Sequence, residues 1–287
     1  MDNKILVPLD GSESVEEVLL YLTTITPRES TTITLLNVLT SKDGKASGDA
    51  HAAEIYDALG QAGWSVNRET RMGNPVDEIV KFTILSSATL LVMSTHGRSG
   101  LERVRDGSVT EQVLKQSPCP VFILHSTRAE PLDQRKEELF KRILVPLDGT
   151  RMSASILECV ERFARMHDSE VILFHDEMDQ PEYDQAAVKE ALQDQSVELA
   201  NRDLKVSLDM TTYKRPIREI LSRIDDMRID LVSMATHGES GARRALDESV
   251  TAEVIRHSNC PLLVWSAEPQ CPPGVLTAET QSPSADE

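Results

Sequence analysis

Between Ser94 and Ser108 the chain gathers small residues where a backbone could close on a ligand: Gly97, Gly100 and Gly107 carry no side chain, and Ser94 and Ser108 carry only a hydroxyl. Gly107-Ser108 stands at the head of a helix-period segment, so unpaired amides of a first helical turn and the helix dipole could hold a phosphate there. Arg98 adds a positive charge beside them. A second stretch, Asp10-Gly11-Ser12, offers a carboxylate and a hydroxyl directly after an apolar run. Each stretch also has a plainer reading. Glycines in a strand-to-helix loop are often turn residues, and Asp followed by Gly and Ser commonly caps the next helix. His96 and His237 fit turn or capping positions, and no catalytic role is assigned to either.

The elements that would carry these residues occur twice. Lys4-Ile5-Leu6-Val7-Pro8-Leu9-Asp10-Gly11 recurs as Arg142-Ile143-Leu144-Val145-Pro146-Leu147-Asp148-Gly149, at an offset of 138 residues. Thr95-His96-Gly97-Arg98-Ser99-Gly100 recurs as Thr236-His237-Gly238-Glu239-Ser240-Gly241, and Ser108-Val109-Thr110 as Ser249-Val250-Thr251, both at offset 141. A repeat of this length is a whole domain and not a solenoid unit. The expected boundaries are a first domain at 1–126, a polar linker with Pro131 at 127–141, a second domain at 142–266 and a Pro- and Ser-rich disordered tail at 267–287.

Within the first copy, short aliphatic runs at 5–9, 32–39, 65–70, 89–94 and 121–125 alternate with helix-period segments at 15–24, 51–63, 75–86 and 108–116. That alternation predicts an α/β fold of two tandem doubly wound domains, each a five-stranded parallel sheet flanked by helices. The run at 65–70 is polar and alternating, which suits a sheet edge, whereas the first and fourth runs are continuously apolar and suit the centre. A strand order of 3-2-1-4-5 follows. Its winding reverses between strands 1 and 4, and ligands of such sheets bind beyond the carboxyl ends of those two strands, which is where Asp10 and the 94–108 segment emerge.

Composition narrows the classes of function. Asp and Glu outnumber Lys and Arg by 47 to 30, a net charge of −17, which opposes nucleic acid and anionic membranes as partners. No apolar run approaches the roughly 20 residues that cross a bilayer, and the first residues lead straight into a strand-like run, so a cytoplasmic protein is expected. Cys119, Cys159, Cys260 and Cys271 show no metal-ligand or C-x-x-C spacing and are expected to be free thiols, those before Pro120 and Pro261 being packing residues.

The loop Ser94-x2-Gly97-x9-Gly107-Ser108, followed by Val109 and Thr110, resembles that of the universal stress protein family, whose ATP-binding members carry G-x2-G-x9-G-[S/T] there. Only the first glycine departs, as Ser94. The resemblance extends to Val7-Pro8-Leu9-Asp10-Gly11, to Asn37-Val38 and to Gly73-Asn74-Pro75, so it covers nearly all of both copies. It implies that Asp10 and the backbone around Pro8, Leu9 and Val38 hold adenosine. It implies also that His96, Gly97, Arg98, Gly107, Ser108, Val109 and Thr110 surround ribose and phosphates, and that Met93 and Ser94 line the same pocket. The implied ligand is ATP or a related adenine nucleotide, with or without Mg²⁺. Carboxylates accept ribose hydroxyl protons, and hydroxyls at a helix start donate to phosphate oxygens, so the chemistry is compatible.

The second copy departs where the phosphates would sit, reading Ala235-x2-Gly238-x9-Glu248-Ser249, with Glu239 for Arg98 and Glu248 for Gly107. A carboxylate ~5 Å from a phosphate charge, at an effective dielectric near 20, costs on the order of 3 kcal/mol, more than a hundredfold in affinity. Binding is therefore expected in the first copy and not in the second. The expected role is that of a regulatory binding protein and not an enzyme, with the halves forming an intramolecular pseudo-dimer or the chain a homodimer. Neither a P-loop with its lysine nor a serine-glycine-glycine loop follows strand 1. The competing expectation is a ligand-free dimerisation or interaction module with both pockets degenerate, which Ser94 favours.

Overall fold

A computed structural model of the chain describes residues 3–9, 15–40, 45–94, 109–124, 139–177, 184–236 and 244–265. The first copy contributes β1 (Asn3–Leu9), α1 (Val15–Ile25), β2 (Thr31–Leu39), α2 (Lys45–Gln61), β3 (Ser65–Met72), α3 (Pro75–Ser86), β4 (Leu90–Ser94), α4 (Val109–Gln116) and β5 (Val121–Leu124). The second contributes β6 (Arg142–Pro146), α5 (Arg151–Ala154), α6 (Leu157–His167), β7 (Glu170–Asp176), α7 (Gln185–Asn201), β8 (Lys205–Thr211), α8 (Pro216–Asp226), β9 (Leu231–Ala235), α9 (Arg244–His257) and β10 (Leu262–Trp265).

All ten strands lie in one sheet, in the order β3-β2-β1-β4-β5-β10-β9-β6-β7-β8. Each half thus has the expected order 3-2-1-4-5. Pairing is parallel within each half and antiparallel between β5 and β10, where Phe122 faces Leu263. The two copies are therefore joined edge to edge through their last strands. The outer edges, β3 and β8, are polar and half exposed, as the alternation at 65–70 predicts.

Side-chain alternation along the strands feeds a core on each face. Ile5, Val7, Ile33 and Leu35 point with Val18, Ile55 and Leu59 to one side; Leu6, Leu36, Leu91 and Met93 point with Ile79, Phe82 and Val113 to the other. Aliphatic residues fill most of both layers. Four aromatic side chains collect where the halves meet: Tyr21, Phe122, Phe140 and Phe163 form a chain of ring contacts with centroids 4.8–6.2 Å apart. Phe140 is fully buried at its centre, with Leu139 beside it. The polar linker expected to run to Lys141 therefore ends earlier, because an apolar pair at its end is drawn into the seam between the copies; residues 125–138 and the tail from 266 lie outside the described residues.

Local sequence explains several element ends. Asn74 caps α3, its Oδ1 accepting from the amides of Val76 (2.9 Å) and Asp77 (3.3 Å), while Pro75 occupies the first turn without losing a needed donor. The helix α2 begins six residues before the periodicity at 51–63 does, because its first turns, Lys45 to Ala50, mix small and charged residues without an apolar stripe.

Candidate functional site

In the first copy the residues of interest converge from four elements on one end of the sheet. Pro8 and Leu9 close β1, paired with Leu36 and Asn37, and β1 lies between β2 and β4. Val38 stands at the end of β2, half-buried, and Met93 and Ser94 end β4 beside Ile123 and Leu124. Val109 and Thr110 open α4, with Thr110 buried under the first turn and Val109 against the core. The winding reverses at β1 and β4, so these ends frame the crevice in which an open α/β sheet binds its ligands. Asp10, His96, Gly97, Arg98, Gly107 and Ser108 lie outside the described residues, as do Gly11, Ser12 and Gly100. The strand ends that deliver them, Leu9 and Ser94, and the helix that follows them are in place.

The second copy has the same frame and a different interior. Pro8 pairs with Leu36 and Pro146 with Phe174, so two residues further on Val38 and Asp176 occupy equivalent places. Asp176 is 5% exposed and accepts three hydrogen bonds, from the Thr211 hydroxyl (2.8 Å) and from the amides of Lys214 (3.1 Å) and Arg215. These bonds compensate the burial of its charge. They also hold Lys214 in a left-handed conformation, φ 59°, and fix the loop that leads into α8. Where the first copy offers an apolar side chain, the second presents a fully engaged carboxylate.

Around it the strand ends lock onto one another. His175 Nδ1–H donates to the Leu147 carbonyl at 2.8 Å. Asp148 behaves as a turn cap, its Oδ1 accepting from the Thr150 amide (2.8 Å) and hydroxyl (2.7 Å). That is the capping reading of the Asp-Gly pair, realised here. Gly149 has φ +86°, and a Cβ on it would lie 2.6 Å from Val188 Cγ1, so α7 packs where any side chain would stand.

The helix α9 is described from Arg244 and runs through Ser249 and Val250, the counterparts of Ser108 and Val109; α4 is described from Val109, and Ser108 lies outside the described residues. Amides at Ser249 and Val250 are therefore interior to a helix and bond to carbonyls four residues back. Glu248, where the first copy has Gly107, favours helix at this position, since glutamate propagates helix and glycine does not. The anion-binding property of a helix start is thus absent at this position of the second copy. Sequence comparison finds the Glu248 substitution; it does not find Asp176, whose signal is only a carboxylate ending the apolar run Val171 to His175.

Other titratable groups point away from chemistry. Cys119, Cys159 and Cys260 are buried thiols outside any disulfide, and burial pushes the Cys119 thiol up to about 11, so it stays protonated and inert at neutral pH. Among the described residues no group of three His, Cys, Asp or Glu could hold a metal, and no helix is long and apolar enough to cross a membrane.

Comparison with known proteins agrees with this frame. The model of the universal stress protein family matches residues 1–125 and again 139–266. The universal stress protein Mb2028c of Mycobacterium bovis is 27% identical over 214 residues, covering 70% of this chain and 68% of its own. The universal stress protein MJ0531 of Methanocaldococcus jannaschii is 29% identical over 143 residues, 44% of this chain and 84% of its own. Among solved structures, a universal stress protein from Archaeoglobus fulgidus superposes with a TM-score of 0.70 at 21% identity, covering 93% of this chain and 99% of its own. With two matches, one to each half of a duplicated sheet, the chain belongs to the universal stress protein family, as a tandem two-domain member.

Proposed function

We propose that the first domain binds ATP or a related adenine nucleotide and that the second domain is its structural partner, not a second site. Binding, not turnover, is the output, in a regulatory role in stress response. The observation that carries this reading is the contrast at the strand ends: in the first copy Pro8, Leu9, Val38, Met93 and Ser94 frame the crevice, while in the second Asp176, at the place of Val38, is engaged by the Thr211 hydroxyl and the Lys214 and Arg215 amides, and α9 runs through Ser249 and Val250. The residues present fit the ligand. Pro8, Leu9, Asp10 and Val38 would hold adenosine, and Gly97, Arg98, Gly107, Ser108 and Thr110 would hold phosphates, the helix start supplying positive potential. A bound Mg²⁺ would be held mainly by phosphates and water.

Calorimetric titration of ATP with Mg²⁺ tests the reading. One site per chain is expected, and Gly107→Glu, which copies the second domain's residue into the first, is expected to weaken it by about a hundredfold. Two equivalent sites would sink the asymmetry. A wild type that does not bind favours the second reading, a ligand-free interaction module, for which Ser94 in place of glycine and the edge-to-edge union of β5 with β10 speak.

A further inference from the structure

A groove of about 800 Å³ runs between α8 and α9 in the second domain. Arg215, Arg218, Leu221, Ser222 and Asp225 recur at three- and four-residue spacing, so they share one face of α8, and the groove follows that face for about 15 Å. Its two ends differ. Arg215 and Arg218, with Lys214 beside them, stand at the head of α8, and Pro216, Ile217 and Leu221 make an apolar middle. At the far end are Asp225 and, from α9, Glu253 within 3.1 Å of His257.

Arg215 and Arg218 are exposed and form no ion pair with any described residue. Other arginines nearby are engaged: Arg223 on the same helix is held by Asp209 and Glu219, and Arg256 by Glu111 of the first domain and by Glu253. Asp176 accepts from the backbone amides of Lys214 and Arg215, so the cationic end of the groove is set in place before a ligand arrives. At offset 141 the same face of α3 reads Asn74, Asp77, Val80, Lys81 and Ile84. Asn74 uses its side chain to cap α3, whereas Arg215 makes no capping bond. Between the copies, two positions have therefore changed from amide and acid to arginine, in a chain whose net charge is −17, and no described acid takes up the added charge.

We propose that this groove is a binding site for a small organic anion with an apolar body, its head group resting on Arg215 and Arg218 and its carbon chain lying over Ile217 and Leu221. The volume is that of small-molecule sites, which are lined mainly by apolar side chains with a few placed polar groups, and the arginine fork matches a phosphate or carboxylate head. The negative charge of the chain opposes an anionic bilayer, so the occupant is a single soluble molecule. The groove uses none of the residues assigned to the nucleotide, and the site stands whether or not the first domain binds ATP.

Calorimetric titration of the full chain with decyl phosphate, below its micelle concentration, tests this. One site per chain is expected, with inorganic phosphate and decanol each weaker by about tenfold or more, because neither fills both parts of the groove. Arg215→Gln combined with Arg218→Gln is expected to weaken decyl phosphate about tenfold and to leave decanol unchanged, whereas Ile217→Ser should weaken both and leave inorganic phosphate unchanged. Added salt should lower the wild-type affinity and barely alter that of the double arginine variant. Thermal melts of the arginine variants should match wild type, since both side chains are exposed. A wild type that does not bind decyl phosphate, binding that survives the loss of both arginines, or decanol bound as tightly as decyl phosphate would each overturn the inference.

Discussion

The two crevices of this molecule were built from the same repeat and now differ in how their polar groups are used. In the first, the strand ends present an apolar Val38. In the second, the strand-end groups bond to one another: Asp176 to the Lys214–Arg215 loop, Asp148 to Thr150, His175 to Leu147, while α9 runs through Ser249 and Val250. A binding site needs donors and acceptors left for a ligand, and a domain that satisfies them internally gains order and loses the site. Duplication allows both outcomes in one chain, because each half retains its core while only one must retain the crevice.

The seam shared by both halves gives the largest expected effect. Phe140→Ala should destabilise the fold by about 3–5 kcal/mol, since the ring is fully buried among Tyr21, Phe122 and Phe163, and denaturant unfolding should then show two transitions where the wild type shows one. A single shifted transition would mean that the β5–β10 ladder alone couples the halves.

Asp176→Val makes the second crevice resemble the first at one point. Removing the acceptor of the Lys214 and Arg215 amides should cost about 2–3 kcal/mol, read by chemical denaturation, and should not create ATP binding, because α9 is unchanged. Nucleotide binding by this variant would show that the carboxylate, and not the helix, is what closes the second site.

The second domain should also carry a pH dependence that the first lacks at the matching place. His167 packs edge-on against Phe140 and at a tilt against Phe163, and burial, aided by nearby Lys141, pushes its pKa down from 6.5 to about 4. The unfolded chain therefore takes up a proton near pH 6.5 that the folded chain refuses until about pH 4. The stability involved is intact above 6.5 and is lost as the pH falls between those values, amounting to roughly 2 kcal/mol once partial exposure is allowed for. His167→Phe should flatten this part of the stability profile between pH 7.5 and 4.5; an unchanged profile would assign the acid sensitivity to other groups.

The smallest effect separates the two helix caps. Asn74→Ala should cost about 1 kcal/mol in thermal stability, whereas Arg215→Ala should cost close to nothing, because α3 is capped by a side chain and the start of α8 is held through backbone amides. Equal costs would show that the Arg215 side chain has a role of its own.

Much of the scaffold was readable from residues alone. Continuous apolar runs marked β1 and β4 as central, the alternating run marked β3 as an edge, and Asn74-Pro75 marked the start of α3, because each of these depends on neighbours in sequence. The site was readable in part. The apolar runs placed the ends of β1 and β4 side by side, whereas the small residues expected to follow them lie outside the described residues, and which acids would face inward and what would hold them had no periodic signal.

The sequence by itself determined the duplication, the order of strands in each half and the sign of the charge that separates the two crevices, since these follow from local propensity, burial pattern and residue type. Only the tertiary structure decided that β5 meets β10, that Phe140 leaves the linker for the seam, that Asp176 is spent on a loop and that Arg256 reaches Glu111 across 145 residues. Those are contacts between positions distant along the chain, where closing the loop costs little more for one partner than another and the choice rests on shape and charge brought together by the fold.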